Sequence, residues 1–386
     1  MTKKRKNPEL QKIFVVCAPG LEPYTKREIE DLGFPAGEGL MEETGVIGFS
    51  GSLRNIYRAN LNLRTATRVL AGIGTFPVQA FPALRQKASH LAWEEYLQPG
   101  QPIAIRVACH HSRLYHSGAV ADYVTKAITD RLRKEPLVQN LNEESSLEPP
   151  QLIGVRIVEN ICTISIDSSG ALLHRRGYRL ATTKAPIRET LAAGILMASG
   201  WDRKSPLLDP FCGSGTIAIE AALMAQKKKP GQRRHFAFME WPNYAPEIWE
   251  ELLQEKTSTP DFPLPPIFAS DRDAGAIQAA TENAERAGVA QGITFSCRSI
   301  SAIEPPSKTG WVVTNPPYGI RLKSNRDLRG LYRQMGEILR KNCRGWKINM
   351  LSANPAFVRL TAIAFDQGIP VFHGGRKVRL FRGEIP

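Results

Sequence analysis

The segment that most constrains the fold of this chain is "PLLDPFCGSGTIAIEAALMA", residues 206–225. A short apolar run ending at Asp209 leads into a glycine-rich turn, and an alanine-rich helix is predicted to begin at about Thr216. Gly213 and Gly215 let the backbone pass close beneath a ligand, in conformations that a side chain would forbid. The first turn of the helix then presents N–H groups to that ligand. This strand–turn–helix pattern predicts an α/β fold with a ligand at the carboxyl ends of its strands.

The turn differs from both common phosphate-binding loops. A Walker loop would end in Gly-Lys-Ser/Thr, and a dinucleotide fingerprint would have a third glycine; this sequence has neither. Asp209 would repel a phosphate but suits a cationic amino group. Asp271, at the end of the next predicted strand, is placed to accept both hydroxyls of a ribose. S-adenosylmethionine is a nucleoside with a positive and non-phosphorylated tail. It therefore offers an amino cation to Asp209 and ribose hydroxyls to Asp271. Either aspartate alone is as readily interpreted as a helix N-cap.

A second motif, "GWVVTNPPYGIRL" at residues 310–322, ends a predicted strand on an amide and two prolines. Each proline lacks a backbone donor and has a fixed φ, so the strand must stop there. The exocyclic amine of a nucleobase is a poor nucleophile, because its lone pair is delocalised into the ring. The side-chain carbonyl of Asn315 and the backbone carbonyl of Pro316 can accept its N–H groups. Pro317 stiffens the turn, and Tyr318 can stack on a base rotated out of its helix. The motif predicts methyl transfer without a metal or a covalent enzyme intermediate; a rigid loop linker is the alternative.

Composition narrows the class of partner. The 386 residues carry a net charge of +14, and the isoelectric point is about 9.6. This excess favours a polyanionic partner such as nucleic acid or an anionic membrane surface, against the alternative of a merely basic surface. No apolar run approaches the roughly 20 residues that span a bilayer, and no signal peptide is predicted. The six cysteines are scattered with no Cys-x-x-Cys pair, which is typical of reduced thiols in a cytoplasmic protein and gives no zinc site.

Three predicted domains follow one another along the chain. Residues 1–65 alternate short strands and helices, and residues 66–170 end in a strand pair that turns at Glu159 and Asn160. Residues 171–386 alternate strands and helices as a parallel α/β sheet does.

These motifs, with others in the same order, resemble a known family. "DPFCGSGT" followed by "NPPYG" is similar to class I S-adenosylmethionine-dependent methyltransferases that act on exocyclic amino groups. The whole chain more closely resembles the THUMP-domain guanine-N2 methyltransferases of structured RNA, a group that contains the bacterial 23S rRNA enzymes and a tRNA branch. Further segments that carry the resemblance cover most of the length: "APGLEPYTKREIEDLG", "LNLRTATRVL", "SRLYHSGAV", "LLHRRGYR", "APIRETLAAGIL" and "FAFMEWPNY". It implies a Rossmann-like methyltransferase domain preceded by α+β ferredoxin-like and THUMP domains, which hold RNA by shape.

The resemblance also implies roles for individual residues. The turn after Asp209 would hold the methionine part and the ribose side of S-adenosyl-L-methionine, and Thr190 would lie beside the cofactor. The implied cofactor-binding residues are Asp209, Phe211, Cys212, Gly213, Ser214, Gly215, Thr216, Asp271 and Thr190, and the implied catalytic residues are Asn315, Pro316, Pro317 and Tyr318. Many relatives place an acidic residue at the adenine amino group, and this chain has none in the matching stretch. A backbone carbonyl, Ser299, Ser301 or Glu304 would have to serve instead.

Basic residues are predicted to contact RNA phosphates, which position RNA without reading its sequence. The predicted contacts are Arg113, Arg175, Arg176 and Arg179, for each of which a plain surface role is the alternative. The main hypothesis is a metal-independent cytoplasmic RNA methyltransferase that makes N2-methylguanosine in 23S rRNA. The alternatives are a tRNA guanine-N2 methyltransferase, an RNA adenine-N6 methyltransferase and a non-catalytic RNA-binding assembly factor.

Overall fold

The computed structural model describes residues 10–34, 41–140, 149–180, 187–255, 263–305, 307–317, 325–373 and 375–386. The chain forms two compact units, which are described separately below. Unit 1 comprises Met1–Cys17, Lys26–Leu173 and Arg234–Glu255, and unit 2 comprises Ala18–Thr25, His174–Arg233 and Lys256–Pro386. No helix among the described residues is both long enough and apolar enough to cross a bilayer.

The helices and strands are numbered in chain order. The elements up to Asp167 are β1 Gln11–Cys17, α1 Glu22–Asp31, β2 Met41–Glu43, β3 Val46–Gly51, α2 Leu53–Asn62, β4 Ala66–Pro77, α3 Phe81–Ser89, β5 Pro102–His110, α4 Ser117–Leu132, β6 Leu137–Val138, β7 Gln151–Val158 and β8 Ile161–Asp167. The later elements are α5 Glu189–Ala198, β9 Leu207–Asp209, α6 Thr216–Ala225, α7 Pro246–Gln254, β10 Ile267–Asp271, α8 Ala274–Ala287, β11 Ile293–Cys297, β12 Trp311–Thr314, α9 Asn325–Asn342, β13 Lys347–Ser352, α10 Pro355–Arg359, β14 Ile369–His373 and β15 Arg376–Glu384.

Unit 1 is built on one sheet of eight strands in the order β2-β3-β1-β4-β8-β7-β5-β6. β5 pairs in parallel with β6 and β7, and the other neighbours pair antiparallel. The long strand β4 joins β1 on one side to β8 on the other. The turn predicted between β7 and β8 is confirmed, since Glu159 and Asn160 both have positive φ, +49° and +63°. Two such residues give the turn whose twist matches that of the flanking strands.

The core of unit 1 includes a segment from much later in the chain. Phe238 stacks on Tyr57 with ring centroids 4.1 Å apart, and Trp249 packs against the edges of both rings. Trp241 Nε1 donates to Gln151 Oε1 over 3.0 Å. The sequence-based boundary placed this stretch in the third domain, whereas its aromatic side chains complete the core of unit 1. The three predicted boundaries otherwise stay a prediction.

Unit 2 is built on a sheet of seven strands in the order β11-β10-β9-β12-β13-β15-β14. The first five run parallel, and β15 lies antiparallel between β13 and β14. α6 is buried along its whole length, as expected for a helix that is apolar all round. From β9 the chain adds β10 and β11 on one side, and it then adds β12 and β13 on the other side of β9. The carboxyl ends of the parallel neighbours β9 and β12 therefore form the expected ligand crevice.

Candidate active site

The glycine-rich turn between β9 and α6 lies at the centre of this crevice. Gly213 N donates to Asp271 Oδ2 over 3.0 Å, which ties the turn to the end of β10. Gly215 precedes α6 with a φ of +81°, and a Cβ at this position would lie 2.9 Å from the Cβ of Ala280 on α8. Glycine is the residue that meets both conditions without strain. The turn is therefore tight, and its backbone can approach a ligand.

Asp209 is the polar end of an otherwise apolar strand and is 1% exposed. Its Oδ1 accepts hydrogen bonds from Thr314 Oγ1 over 2.8 Å and from Phe211 N over 3.2 Å, while Oδ2 takes none from a described residue. Burial raises the pKa of Asp209 to about 7; the two hydrogen bonds oppose this effect and the charge of Asp271 adds to it. A carboxyl group with an unused acceptor oxygen can pair with an amino cation, which would favour its ionised form.

Asp271 ends β10 and is half-buried. Its Oδ1 accepts from Asp273 N over 3.1 Å. The N-cap of α8 is Asp273, whose side chain accepts from Gly275 N and Ala276 N. The capping role that the sequence left open for Asp271 therefore belongs to Asp273, two residues later. Asp271 remains available to a ligand that lies against the turn.

Cys212 lies within the turn but is not suited to nucleophilic chemistry. Its side chain is buried, and burial raises the pKa of the thiol well above its usual range; the charges of Asp209 and Asp271 raise it further. The thiolate is the nucleophilic form of cysteine. Cys212 therefore stays protonated and acts as a small apolar side chain.

Asn315 directly follows β12, the neighbour of β9 in the sheet. The residue before it, Thr314, donates its hydroxyl to Asp209, which fixes the end of the strand beside the crevice. The Oδ1 atom of Asn315 is buried and has no hydrogen-bond partner in the described part of the chain. An unsatisfied buried acceptor costs about 1–3 kcal/mol. A ligand N–H group would recover that free energy.

The remaining residues predicted for catalysis and cofactor binding differ from one another in how far they are buried. Pro316 is buried and Pro317 half-buried directly after Asn315, whereas Tyr318 lies outside the described residues. Thr190 is buried in the first turn of α5. The structure thus brings the turn, Asp271 and the Asn-Pro-Pro motif to one edge of the sheet, and their individual roles stay a prediction.

The adenine contact also stays a prediction. Ser299 and Ser301 follow β11 and are exposed, and their hydroxyl groups hydrogen-bond to each other. Glu304 is exposed a few residues later. All three lie beyond the carboxyl end of β11, which pairs with β10 so that Cys297 is opposite Asp271.

The arginines predicted to bind RNA fall into two groups. Arg176 is 4% exposed, and its Nη1 lies 2.9 Å from Glu220 Oε2. Arg179 Nη2 lies 3.1 Å from Glu189 Oε2. We therefore correct the prediction for Arg176, whose buried guanidinium balances a buried carboxylate and is not presented to a phosphate. Arg113 is exposed and Arg175 is half-buried.

Sequence reasoning missed this buried charge cluster in unit 2. Tyr178 Oη donates to Glu220 Oε1 over 2.9 Å, beside the Arg176 and Arg179 ion pairs. Burial raises the pKa of Glu189 to about 7, an effect that Arg179 opposes. The signal was present in α6, where Glu220 is the single charge in an apolar helix. A buried carboxylate requires a partner.

A second missed feature is a hydrogen-bonded support behind the glycine-rich turn. Asn283 on α8 is fully buried, and its Nδ2 donates to Ser214 O over 3.2 Å. Arg286 Nη2 donates to Asn283 Oδ1 over 2.6 Å, and Arg286 Nε donates to Tyr178 O over 2.9 Å. The carbonyl in the middle of the turn is therefore held from behind by a side chain that is itself held in place.

Comparison with known families agrees with this geometry. The model described as "RMKL-like, methyltransferase domain" matches residues 176–380, which is more than half of the chain. The chain belongs to this family. Residues 12–70 match an RlmL ferredoxin-like domain and residues 78–167 match a THUMP domain. The predicted family and the predicted fold class are confirmed.

Individual relatives extend over most of the chain. It is 35% identical to a putative RNA methyltransferase of Synechocystis, with 96% of both chains covered. It is 33% identical to the ribosomal RNA large subunit methyltransferase K/L of Methylococcus capsulatus; 98% of this chain is covered but only 52% of that protein, so the chain spans about half the length of this relative. Among solved structures, a putative methyltransferase complexed with SAH is 28% identical with a TM-score of 0.85, and 99% of each chain is covered.

Proposed function

We propose that this protein transfers a methyl group from S-adenosyl-L-methionine to the exocyclic N2 atom of a guanine in RNA, with 23S rRNA as the substrate. Membership of the methyltransferase family and the names of the RNA-modifying relatives support the general reaction. The choice of guanine N2 and of 23S rRNA goes beyond them. It rests on the Asn-Pro-Pro-Tyr sequence and on the resemblance to guanine-N2 enzymes.

The residues at the crevice fit the proposed cofactor. Asp209 has an acceptor oxygen that no described residue uses, as an amino cation requires. Asp271 lies beside the turn at the end of β10, where ribose hydroxyls are bound in folds of this kind. The absence of a side chain at Gly215 lets the turn lie close against Ala280 of α8, which fixes the turn at the end of β9. S-adenosylmethionine supplies a methyl group on a positively charged sulfur, which makes that carbon electrophilic.

The observation that carries the proposal is the Oδ1 of Asn315, which is buried and has no hydrogen-bond partner among the described residues. This atom accepts one N–H of the guanine amine, and the backbone carbonyl of Pro316 accepts the other. Holding both N–H groups turns the nitrogen lone pair out of conjugation and towards the methyl group. Nitrogen forms a bond to the methyl carbon as the carbon–sulfur bond breaks. The amine then carries one excess proton, which leaves to water.

The experiment that tests this role compares two amide variants in single-turnover methylation of 23S rRNA with labelled cofactor. Asn315→Ala should lower the rate constant by about 10²-fold or more, since it removes an acceptor used during the reaction, and should leave cofactor affinity unchanged. Gln291→Ala is the matched control, because it removes an exposed amide at the opposite, amino edge of the sheet. Equal rates in the Asn315 variant and the control would show that Asn315 is not catalytic.

A further inference from the structure

The hairpin formed by β14 and β15 ends at the same edge of the unit 2 sheet as the candidate active site. β15 pairs antiparallel with both β13 and β14, so β14 runs in the direction of β12 and β13. The end of β14 and the start of β15 therefore lie at the carboxyl edge, where Asp209 and Asn315 are found. β14 is three positions from β12 in the sheet, which is about 14 Å at the usual strand spacing.

Two cations at the start of β15 have no internal role in the described part of the chain. The side chains of Arg376 and Lys377 are exposed, and neither forms a hydrogen bond or ion pair with another described residue. Cations further along the strand are engaged: Arg379 donates to main-chain carbonyls of the preceding loop, and Arg382 pairs with Asp366 over 2.8 Å. The uncompensated charge is therefore concentrated at the end of the hairpin that lies at the ligand edge.

An aromatic ring accompanies these cations. Phe372 is 43% exposed and is directly opposite Lys377 in the register of the hairpin. Cross-strand partners project from the same face, so the ring and the ammonium group are neighbours. The next pair, Val371 and Val378, is 1% exposed on the opposite face and packs in the core of unit 2. The outer face thus presents an apolar ring that burial in the unit does not explain.

A cation beside an exposed aromatic ring suits single-stranded nucleic acid. Basic side chains contact phosphates and fix the position of the backbone, and an aromatic ring provides a surface on which an unstacked base can lie. An enzyme that acts on a base outside its helix leaves flanking nucleotides unstacked as well. The net charge of +14 favours a polyanionic partner on general grounds.

We infer that Phe372, Arg376 and Lys377, here called the hairpin surface, hold the RNA strand that flanks the target nucleotide. Lys377 contacts a phosphate on the face from which Phe372 stacks on one base, and Arg376, which projects from the other face at the end of the hairpin, contacts a second phosphate. The inference rests on the proposed function and adds to it a contact surface for the RNA. It places the flanking strand across the carboxyl edge of the sheet, from β12 towards β14.

The test measures binding of a protein-free 23S rRNA transcript to the full chain over a range of salt concentrations. Arg376→Ala/Lys377→Ala should weaken RNA binding by about tenfold, and the slope of log affinity against log salt should fall by about 1.5, as expected for two lost phosphate contacts. Phe372→Ala should weaken binding by about fivefold with an unchanged salt slope, because stacking releases no counterions. Affinity for S-adenosylhomocysteine and the thermal midpoint should not change in either variant.

The matched control removes the same charge from the opposite edge. Lys341 and Arg344 are exposed near the start of β13, at the amino edge, and Lys341→Ala/Arg344→Ala should bind RNA almost as the wild type does. Equal losses in both double variants, or no loss in the hairpin variant, would overturn the inference and assign the surface to another partner or to none. A wild type that binds the transcript but makes no N2-methylguanosine would count against the proposed function only, since the binding comparison would still decide the role of the hairpin.

Discussion

Asp209, which we propose to bind the amino group of the cofactor, is expected to lower the stability of the fold when it is ionised. Its carboxyl group is buried, its pKa is raised to about 7, and the reference pKa in an unfolded chain is about 3.9. Between these values the folded state binds a proton that the unfolded state does not. The free energy of unfolding therefore falls as the pH rises from about 4 to about 7, and the full penalty is present above pH 7.

We expect Asp209→Asn to raise the free energy of unfolding at pH 8 by about 2 kcal/mol and to have little effect at pH 4, because the amide carries no charge to desolvate. The same variant should lose affinity for S-adenosylmethionine at pH 8. Denaturant unfolding at the two pH values measures the first effect and calorimetry the second. Asp273→Asn is the control, since its side chain caps α8 at the surface; asparagine also caps helices, so stability and affinity should change little. If Asp209→Asn destabilised the protein at pH 8, burial of the ionised carboxylate would not be what limits its stability.

Asn283 is predicted to position the glycine-rich turn without touching the substrate. Asn283→Ala removes the donor to Ser214 O and leaves Arg286 without this acceptor. We expect about a tenfold rise in the dissociation constant for S-adenosylhomocysteine, equivalent to about 1.4 kcal/mol, with RNA affinity unchanged. Amide hydrogen exchange at residues 213–215 should quicken in the ligand-free variant.

The control for Asn283 is Gln278→Ala, on the same helix. The amide of Gln278 is exposed, and within the described part of the chain its Nε2 donates only to Glu282 Oε1 of the same helix. If both variants bound the ligand equally well, the support behind the turn would have no part in cofactor binding.

At the scale of elements, the glycine-rich turn can pack against α8 because Gly215 has no side chain. Gly215→Ala would place a Cβ 2.9 Å from that of Ala280 at a φ of +81°. We expect a loss of about 1–3 kcal/mol in the free energy of unfolding, measured in denaturant. Gly330→Ala is the control, because this exposed glycine lies in α9 and no atom of the described residues is within 4 Å of an added Cβ. That variant should gain about 0.5–1 kcal/mol. Equal effects in the two variants would contradict the packing argument.

The segment from β9 through the glycine-rich turn to α6 was the part of the structure that the sequence predicted best. The pattern of an apolar run, two glycines and an alanine-rich segment predicted β9 ending at Asp209 and α6 beginning at Thr216, and the structure has these bounds. The pattern suffices because periodicity and the backbone freedom of glycine are local properties. The contacts of Asn283 could not be predicted in this way, since its partner Ser214 is 69 residues away and an asparagine in a helix has no signature of its own.

At the scale of the whole molecule, local sequence patterns predicted the helices and strands well, but they did not predict where the two compact units begin and end. Residues 234–255 lie between elements of unit 2 in the sequence but pack with unit 1. Aromatic residues such as Phe238 and Trp241 mark a buried segment, yet nothing local indicates which core they join. The error for Arg176 has a related cause, because a basic run is interpreted as a surface until its buried partner, Glu220, is known.

Nucleoside analysis of cellular RNA tests which base this protein methylates and in which RNA. Cells that lack this protein would be complemented with the wild type or with Asn315→Ala, and nucleosides from the 23S, 16S and tRNA pools would be quantified by mass spectrometry. We expect N2-methylguanosine to be lost from 23S RNA in the deletion, restored by the wild type and not restored by the variant. Restoration in the tRNA pool instead would move the substrate to tRNA, and N6-methyladenosine in place of N2-methylguanosine would contradict the choice of base. An unchanged N2-methylguanosine content in every pool would show that this protein does not make N2-methylguanosine.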